Sequence, residues 1–138
     1  MSQKEVILLL GSNLGDTKKN IETAIQLINN KIGIIKKRSF FLKTEPVEFV
    51  SNNIFSNIAL SINTDLSPIQ ILKQIKDIEI VMGRTQDSSI LGEYKDRIID
   101  IDIVMIGKIR FKSILLTIPH QKHLFTREFS KILIDQII

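Results

Sequence analysis

Hydrophobic positions along the chain switch between two periods in a regular order. Val6–Leu10 is an unbroken apolar run, which predicts a central strand. After Gly11–Ser12–Asn13–Leu14–Gly15–Asp16, residues Ile21, Ala24, Ile25, Ile28 and Ile32 keep the helical period, and Asp16 or Thr17 stands where an N-cap belongs. Ile34–Lys43, entered through Gly33, reads as a second strand, which Thr44–Glu45–Pro46 breaks because proline cannot donate to a ladder. Around Phe55–Asn63, Ile58, Leu60 and Ile62 alternate with Asn57, Ala59 and Ser61, as in a third strand. Ser67 as N-cap, Pro68 at the first helical position and Gln70 closing a capping box then open a second helix. Its predicted buried stripe is Leu72, Ile75, Ile78 and Met82, and Gly83 supplies the C-cap. Polar Thr85–Asp96 reads as a mobile loop leading to Arg97–Gly107, a β-branched strand ending at a glycine turn. Ile109–Lys112 suits a short hairpin partner, and Leu116–His120 is extended ahead of and through its proline. A last helix, capped by Thr126 and running through Ile137, would turn Phe129, Ile132, Leu133 and Ile137 inward.

This order, β-α-β-β-α-β with a helix added at the end, predicts the α+β class. The expected arrangement is a ferredoxin-like sandwich with a mainly antiparallel sheet. A chain of 138 residues suits one domain, 1–138, with room for a real core.

Composition narrows the chemistry. A hydrophobic fraction of 43% and a charged fraction of 25% are ordinary for a globular domain. A net charge of +4 favours anionic ligands such as nucleotides without resembling a nucleic-acid-binding tail. The absence of cysteine excludes disulfides, a zinc–thiolate site and a thiol nucleophile. No signal-peptide core or bilayer-length apolar run is seen, so the expectation is a soluble, cytoplasmic protein with no membrane partner. The phosphate-binding pattern G-x-x-x-x-G-K-[ST] does not occur, because Gly107–Lys108 lacks both its upstream glycine and its following hydroxyl. Strands that read as Ile and Asp, rather than adjacent exposed aromatics, also argue against RNA recognition.

Asp100 and Asp102 carry the most distinctive candidate chemistry. Side chains two apart on a strand share a face, so these carboxylates lie together, about 7 Å apart along the chain, with Ile99, Ile101 and Ile103 opposite. Mutual repulsion and the cost of desolvation favour a cation there, and an oxygen-only donor pair suits Mg²⁺. A solvated strand face is the alternative. Arg97, three residues before Asp100, is close enough to hold an anion that shares the metal. The turn at Gly11–Gly15 reads either as an anion-holding helix start or as a plain connection. Phe55 and Asn57, on the face opposite the apolar set, suit a flat hydrogen-bonding ring, although an exposed phenylalanine near a loop reads the same way.

Several pieces occur together in order: Gly11–Ser12–Asn13–Leu14–Gly15, Thr44–Glu45–Pro46, Phe55 with Asn57, Glu79 with Gly83–Arg84, Arg97-x-x-Asp100-x-Asp102, and Pro119–His120. In this the chain resembles the 6-hydroxymethyl-7,8-dihydropterin pyrophosphokinases of folate biosynthesis over nearly its whole length. The resemblance implies a 2-amino-4-hydroxy-6-hydroxymethyldihydropteridine diphosphokinase that transfers pyrophosphate from ATP to the pterin hydroxymethyl group and releases AMP. It further implies two Mg²⁺ on Asp100 and Asp102, with Arg97 and these two acids forming the catalytic set. Glu79, Arg84, Lys95, Arg97, His120 and Arg127 would attend ATP, while Thr44, Val47, Phe55, Asn57 and Phe129 would hold the pterin. A monomer acting on small molecules, without nucleic acid, is expected; the alternative is a ferredoxin-like nucleotide- or pterin-binding relative that has lost catalysis.

Departures from the family pattern fall on the phosphate side. Where Arg-(Trp/Tyr)-Gly-Pro-Arg is common, this chain reads Glu93–Tyr94–Lys95–Asp96–Arg97, after a loop about three residues longer by that comparison. Lys95 supplies charge there but not a two-pronged guanidinium. Leu115 replaces a frequent arginine, with Lys112 nearby, and the turn from His120 to Arg127 is one residue longer.

Overall fold

The computed structural model describes residues 3–44, 54–83, 97–112, 116–120 and 127–138. Glu45, Pro46, Val47, Arg84, Glu93, Lys95, Leu115, Thr126 and the loop 85–96 lie outside the described residues.

The central strand β1 (Lys4–Ser12) lies between β4 (Phe55–Thr64) and β5 (Asp100–Ile106), antiparallel to both. Beyond β4 come β2 (Ile34–Arg38), along its C-terminal half, and β3 (Leu42–Thr44), along its N-terminal end. The sheet is antiparallel throughout, and the ferredoxin-like α+β arrangement is borne out. The expected strand over Ile34–Lys43 is in fact two. Ser39 interrupts it, its N–H donating to Ala59 O at 2.9 Å and its Oγ accepting from Ala59 N–H at 2.8 Å. One serine thus takes over both ladder bonds at the break, and the chain bends without losing a buried hydrogen bond.

Helices α1 (Thr17–Lys31) and α2 (Pro68–Val81) cover one face of this sheet. Asp16 caps α1 by accepting from Lys19 N–H, and α2 carries the full Ser67–Gln70 capping box. Val6, Leu8, Leu10, Ile58, Leu60, Ile62, Ile99, Ile101 and Ile103 meet Ile21, Ala24, Ile28, Ile71, Ile75 and Ile78 in an aliphatic core. The α2 stripe is rotated from the one expected. Ile71 is fully buried, whereas Leu72 and Met82 are only partly so, because Ile75 and Ile78 align with the residue one turn before Ile75.

The opposite face carries a smaller core, Ile7, Leu9, Ala59 and Val104, covered by α3 (Glu128–Asp135) through Leu133 and Ile134 and by Ile137 just beyond it. Here the expected inward set needs correction. Ile132 is 45% exposed, while Ser130 and Ile134 are buried. The helix is also shorter than expected, and its N-cap is Arg127, which makes no side-chain capping bond. Strand β5 pairs Ile7 with Met105 but Leu8 with Ile103, so Val104 is the extra residue of a bulge. That bulge returns Ile106 to the larger core after the Asp100–Ile103 alternation. Strands β6 (Phe111–Lys112) and β7 (Thr117–Ile118) form a separate two-stranded ribbon.

Candidate functional site

Register assembles the site. Gly11 of β1 faces Asn57 of β4 on one side and Asp100 of β5 on the other, and Asn57 in turn faces Leu42 of β3. Directly opposed residues share a face, so Asn57, Gly11 and Asp100 form one row across the sheet. Two interstrand spacings separate its ends, about 10 Å. The next row is Ala59, Leu9 and Asp102. Both acids therefore lie on the α3 side of the sheet, and both are partly exposed, whereas Ile101 and Ile103 are 4% exposed on the other side. The shared face expected for Asp100 and Asp102 is present.

Asn57 is held firmly. Its Nδ2 donates to Leu42 O at 3.1 Å and to Thr44 Oγ1 at 2.8 Å, and the side chain is only 5% exposed. With the amide nitrogen engaged, the carbonyl Oδ1 is turned over Gly11, 3.1 Å from where a Cβ there would lie. The Phe55 ring borders the same spot, 3.3 Å from that position. Phe129, near the start of α3, packs against the smaller core on this face, as do Leu42 and Met105. The sheet thus brings Thr44, Phe55 and Asn57 to one side of Gly11, and Phe129 lies on the same face of the sheet.

Arg97 precedes β5, and its Nη1 lies 3.0 Å from Asp100 Oδ2. Asn13, 3% exposed, grips the Arg97 backbone: Asn13 N–H donates to Arg97 O at 3.0 Å, and Oδ1 accepts from Arg97 N–H at 2.7 Å. Glu79 is 3% exposed, and its Oε2 accepts from Ile101 N–H at 3.0 Å, so a buried carboxylate holds the peptide between the two acids. Lys76 Nζ lies 3.6 Å from the other Glu79 oxygen. Beyond a cis Ile118–Pro119 peptide, His120 N–H donates to Val104 O at 2.8 Å, which seats His120 against β5. Arg127 stands at the head of α3 as its N-cap residue. The backbone grips of Asn13 and Glu79 escape sequence reasoning, although a glutamate inside an apolar helical stripe and an asparagine ending a buried strand are both visible anomalies.

Among the described residues no group of three or more His, Cys, Asp or Glu forms a protein-only metal cage. A pair of carboxylates suits Mg²⁺, whose remaining ligands would come from phosphate and water. Fold and site together define a ferredoxin-like α+β domain with an acidic pair on one strand and an aromatic–amide pair two strands away.

Comparison with known proteins supplies the family. Residues 7–138 match the family model for 7,8-dihydro-6-hydroxymethylpterin-pyrophosphokinase (HPPK), and the chain belongs to this family, the pyrophosphokinases of folate synthesis. The Porphyromonas gingivalis 2-amino-4-hydroxy-6-hydroxymethyldihydropteridine pyrophosphokinase is 35% identical over 133 residues, 96% of this chain and 89% of that relative. The mitochondrial folate synthesis bifunctional protein of Pisum sativum is 37% identical over 86% of this chain, which spans 22% of that relative's length. Among solved structures, a Plasmodium falciparum HPPK-DHPS aligns with 99% of this chain and 39% of its own, at a TM-score of 0.70 and 17% identity, a likeness of fold.

Proposed function

We propose that the row Asn57–Gly11–Asp100 is where ATP and 6-hydroxymethyl-7,8-dihydropterin meet, with the pterin on the Asn57 side and the triphosphate on the Asp100 side. The observation that carries this reading is the row itself, which sets a fixed amide and an acid pair about 10 Å apart on one face. The pterin would lie between Phe55 and Phe129. Because Asn57 Nδ2 is spent on Leu42 and Thr44, Asn57 offers an acceptor, which matches the amino and ring N–H groups of a pterin. Val47 would join this pocket.

On the phosphate side, Asp100 and Asp102 would hold Mg²⁺, two ions by family resemblance, and the metal would neutralise triphosphate charge and orient the β-phosphorus. Arg97, His120 and Arg127, with Arg84 and Lys95, would contact phosphate oxygens, and the guanidinium groups would do so through two parallel N–H bonds. Arg97 begins in an ion pair with Asp100, so arrival of the nucleotide would give it phosphate oxygens to share. Glu79 would act on the nucleotide side by fixing the Ile101 peptide. Asp102 would accept the pterin hydroxyl proton as that oxygen attacks the β-phosphorus. The bond to the oxygen bridging the α- and β-phosphorus breaks, and AMP leaves with that oxygen. Alignment of the two substrates and neutralisation of charge carry most of the rate. Among the described residues no helix is long and apolar enough to cross a membrane, and we place the enzyme in the cytoplasm as a monomer.

The test mixes protein, Mg-ATP and the reduced hydroxymethylpterin and identifies the nucleotide product. AMP formed only when pterin is present supports the reading. Formation of ADP, or no turnover, overturns it.

A further inference from the structure

We infer that Asn13 is a positioning residue for the nucleotide side of the site, acting through the Arg97 peptide. Arg97 is 84 residues away in sequence, yet one buried side chain and its own backbone satisfy both backbone polar groups of that residue, the N–H and the C=O. The grip is rigid. Asn20 Nδ2 ties the turn that carries Asn13 by donating to Ser12 Oγ at 3.2 Å and to Leu14 O at 2.7 Å. Gly15, at φ +69°, lets the chain pass from that turn into α1. The Arg97 guanidinium, only 11% exposed, reaches Asp100 from this fixed peptide. Without the Asn13 oxygen, the part-buried Arg97 N–H loses that partner, and the Arg97 backbone is held less firmly, through the bond from Asn13 N–H to its C=O. Since Arg97 both neutralises Asp100 and faces the triphosphate, the consequence falls on nucleotide binding. The pterin residues Phe55 and Asn57 are held from β3 and β4.

This inference rests on the assignment of the Asp100 side to the triphosphate. Asn13→Ala is expected to raise the dissociation constant of a fluorescent Mg-ATP analogue, and the KM for Mg-ATP, by about 10-fold, with pterin affinity within about 2-fold of wild type. Asn13→Asp keeps an oxygen at the same position and is expected to bring Mg-ATP affinity back to within about 3-fold of wild type. Should Asn13→Ala fail to fold by circular dichroism, Asn13→Ser serves instead, since its hydroxyl is too short to reach the Arg97 N–H while the backbone bond remains. Equal loss of both ligands, or no gain from Asp over Ala and Ser, overturns the inference and marks Asn13 as a merely structural residue. Unchanged Mg-ATP affinity in a folded Ala or Ser variant also overturns it. Failure of the catalytic reading shows separately, as wild-type protein that forms no pterin-dependent AMP, and the analogue titration still decides the role of Asn13.

Discussion

Gly11→Ala is the sharpest probe of how the two halves of the site are spaced. The backbone at Gly11 has no positive φ, so alanine is conformationally acceptable and the glycine is needed only for space. An added Cβ would lie 3.1 Å from Asn57 Oδ1 and 3.3 Å from Phe55 Cδ1, both inside ordinary van der Waals distance. The half-buried Phe55 ring can slide away. Asn57 cannot move by the required few tenths of an ångström without straining its bonds to Leu42 O and Thr44 Oγ1. Weakening one such bond costs about 1 kcal/mol, and overpacking of this kind costs about 1–3 kcal/mol. Alanine also restricts the unfolded chain, which offsets about 0.4–1 kcal/mol. The net expectation is a loss of about 1 kcal/mol, a fall in Tm of about 4 °C. Binding should suffer more selectively, because the methyl group stands between the Phe55 ring and the Asn57 acceptor. Pterin affinity, measured by calorimetric titration, should weaken by about 10-fold or more, equivalent to about 1.4 kcal/mol. Affinity for Mg-ATP should stay within about 2-fold, since the three atoms nearest the added Cβ all belong to Asn57 and Phe55 rather than to Asp100 or Arg97. Gly33→Ala is the contrasting control: its Cβ would meet Asn63 O at 2.1 Å, a backbone atom that cannot step aside, so it should destabilise the whole fold without ligand selectivity. Unchanged pterin affinity in Gly11→Ala, or equal loss for both ligands, would refute the placement of the pterin over Gly11.

Two further outcomes are expected. Asp102→Asn should lower kcat by about 100-fold or more while leaving pterin affinity within about 2-fold, as loss of a proton acceptor without loss of the pocket requires; equal loss of pterin binding in calorimetry would contradict that division of labour. Ser67→Ala removes the capping-box hydroxyl of α2 and should cost about 1 kcal/mol, read as a fall in Tm of about 3–5 °C, with little change in kcat.

The parts of this molecule that are legible in its sequence are those fixed by local rules. Ser67, Pro68 and Gln70 announce the start of α2 because capping is a contact between residues three apart. Asp100 and Asp102 share a face because a strand alternates, whatever its partners. The break at Ser39 is harder to see: Phe40, Phe41 and Leu42 have strand character, and the serine's role depends on Ala59 across the sheet. The bulge at Val104 is hidden inside an apolar run in which any register looks alike. For α2 and α3, isoleucines on neighbouring positions leave the exact heading of the stripe open, and packing chooses Ile71 over Leu72 and Ile134 over Ile132. At the site, residue types point to ligands, but the grips of Asn13 on Arg97 and Glu79 on Ile101 are tertiary bonds that no local pattern encodes.

The claim on which the site depends is that Asp100 and Asp102 together hold divalent ions against a nucleotide. Titration of Mn²⁺ in the presence of a non-hydrolysable ATP analogue, followed by electron paramagnetic resonance, counts those ions directly. Wild-type protein should take up two Mn²⁺ per chain, and the Asp100→Asn/Asp102→Asn double variant should lose this uptake while still binding pterin. Identical Mn²⁺ uptake by the two proteins would contradict the assignment.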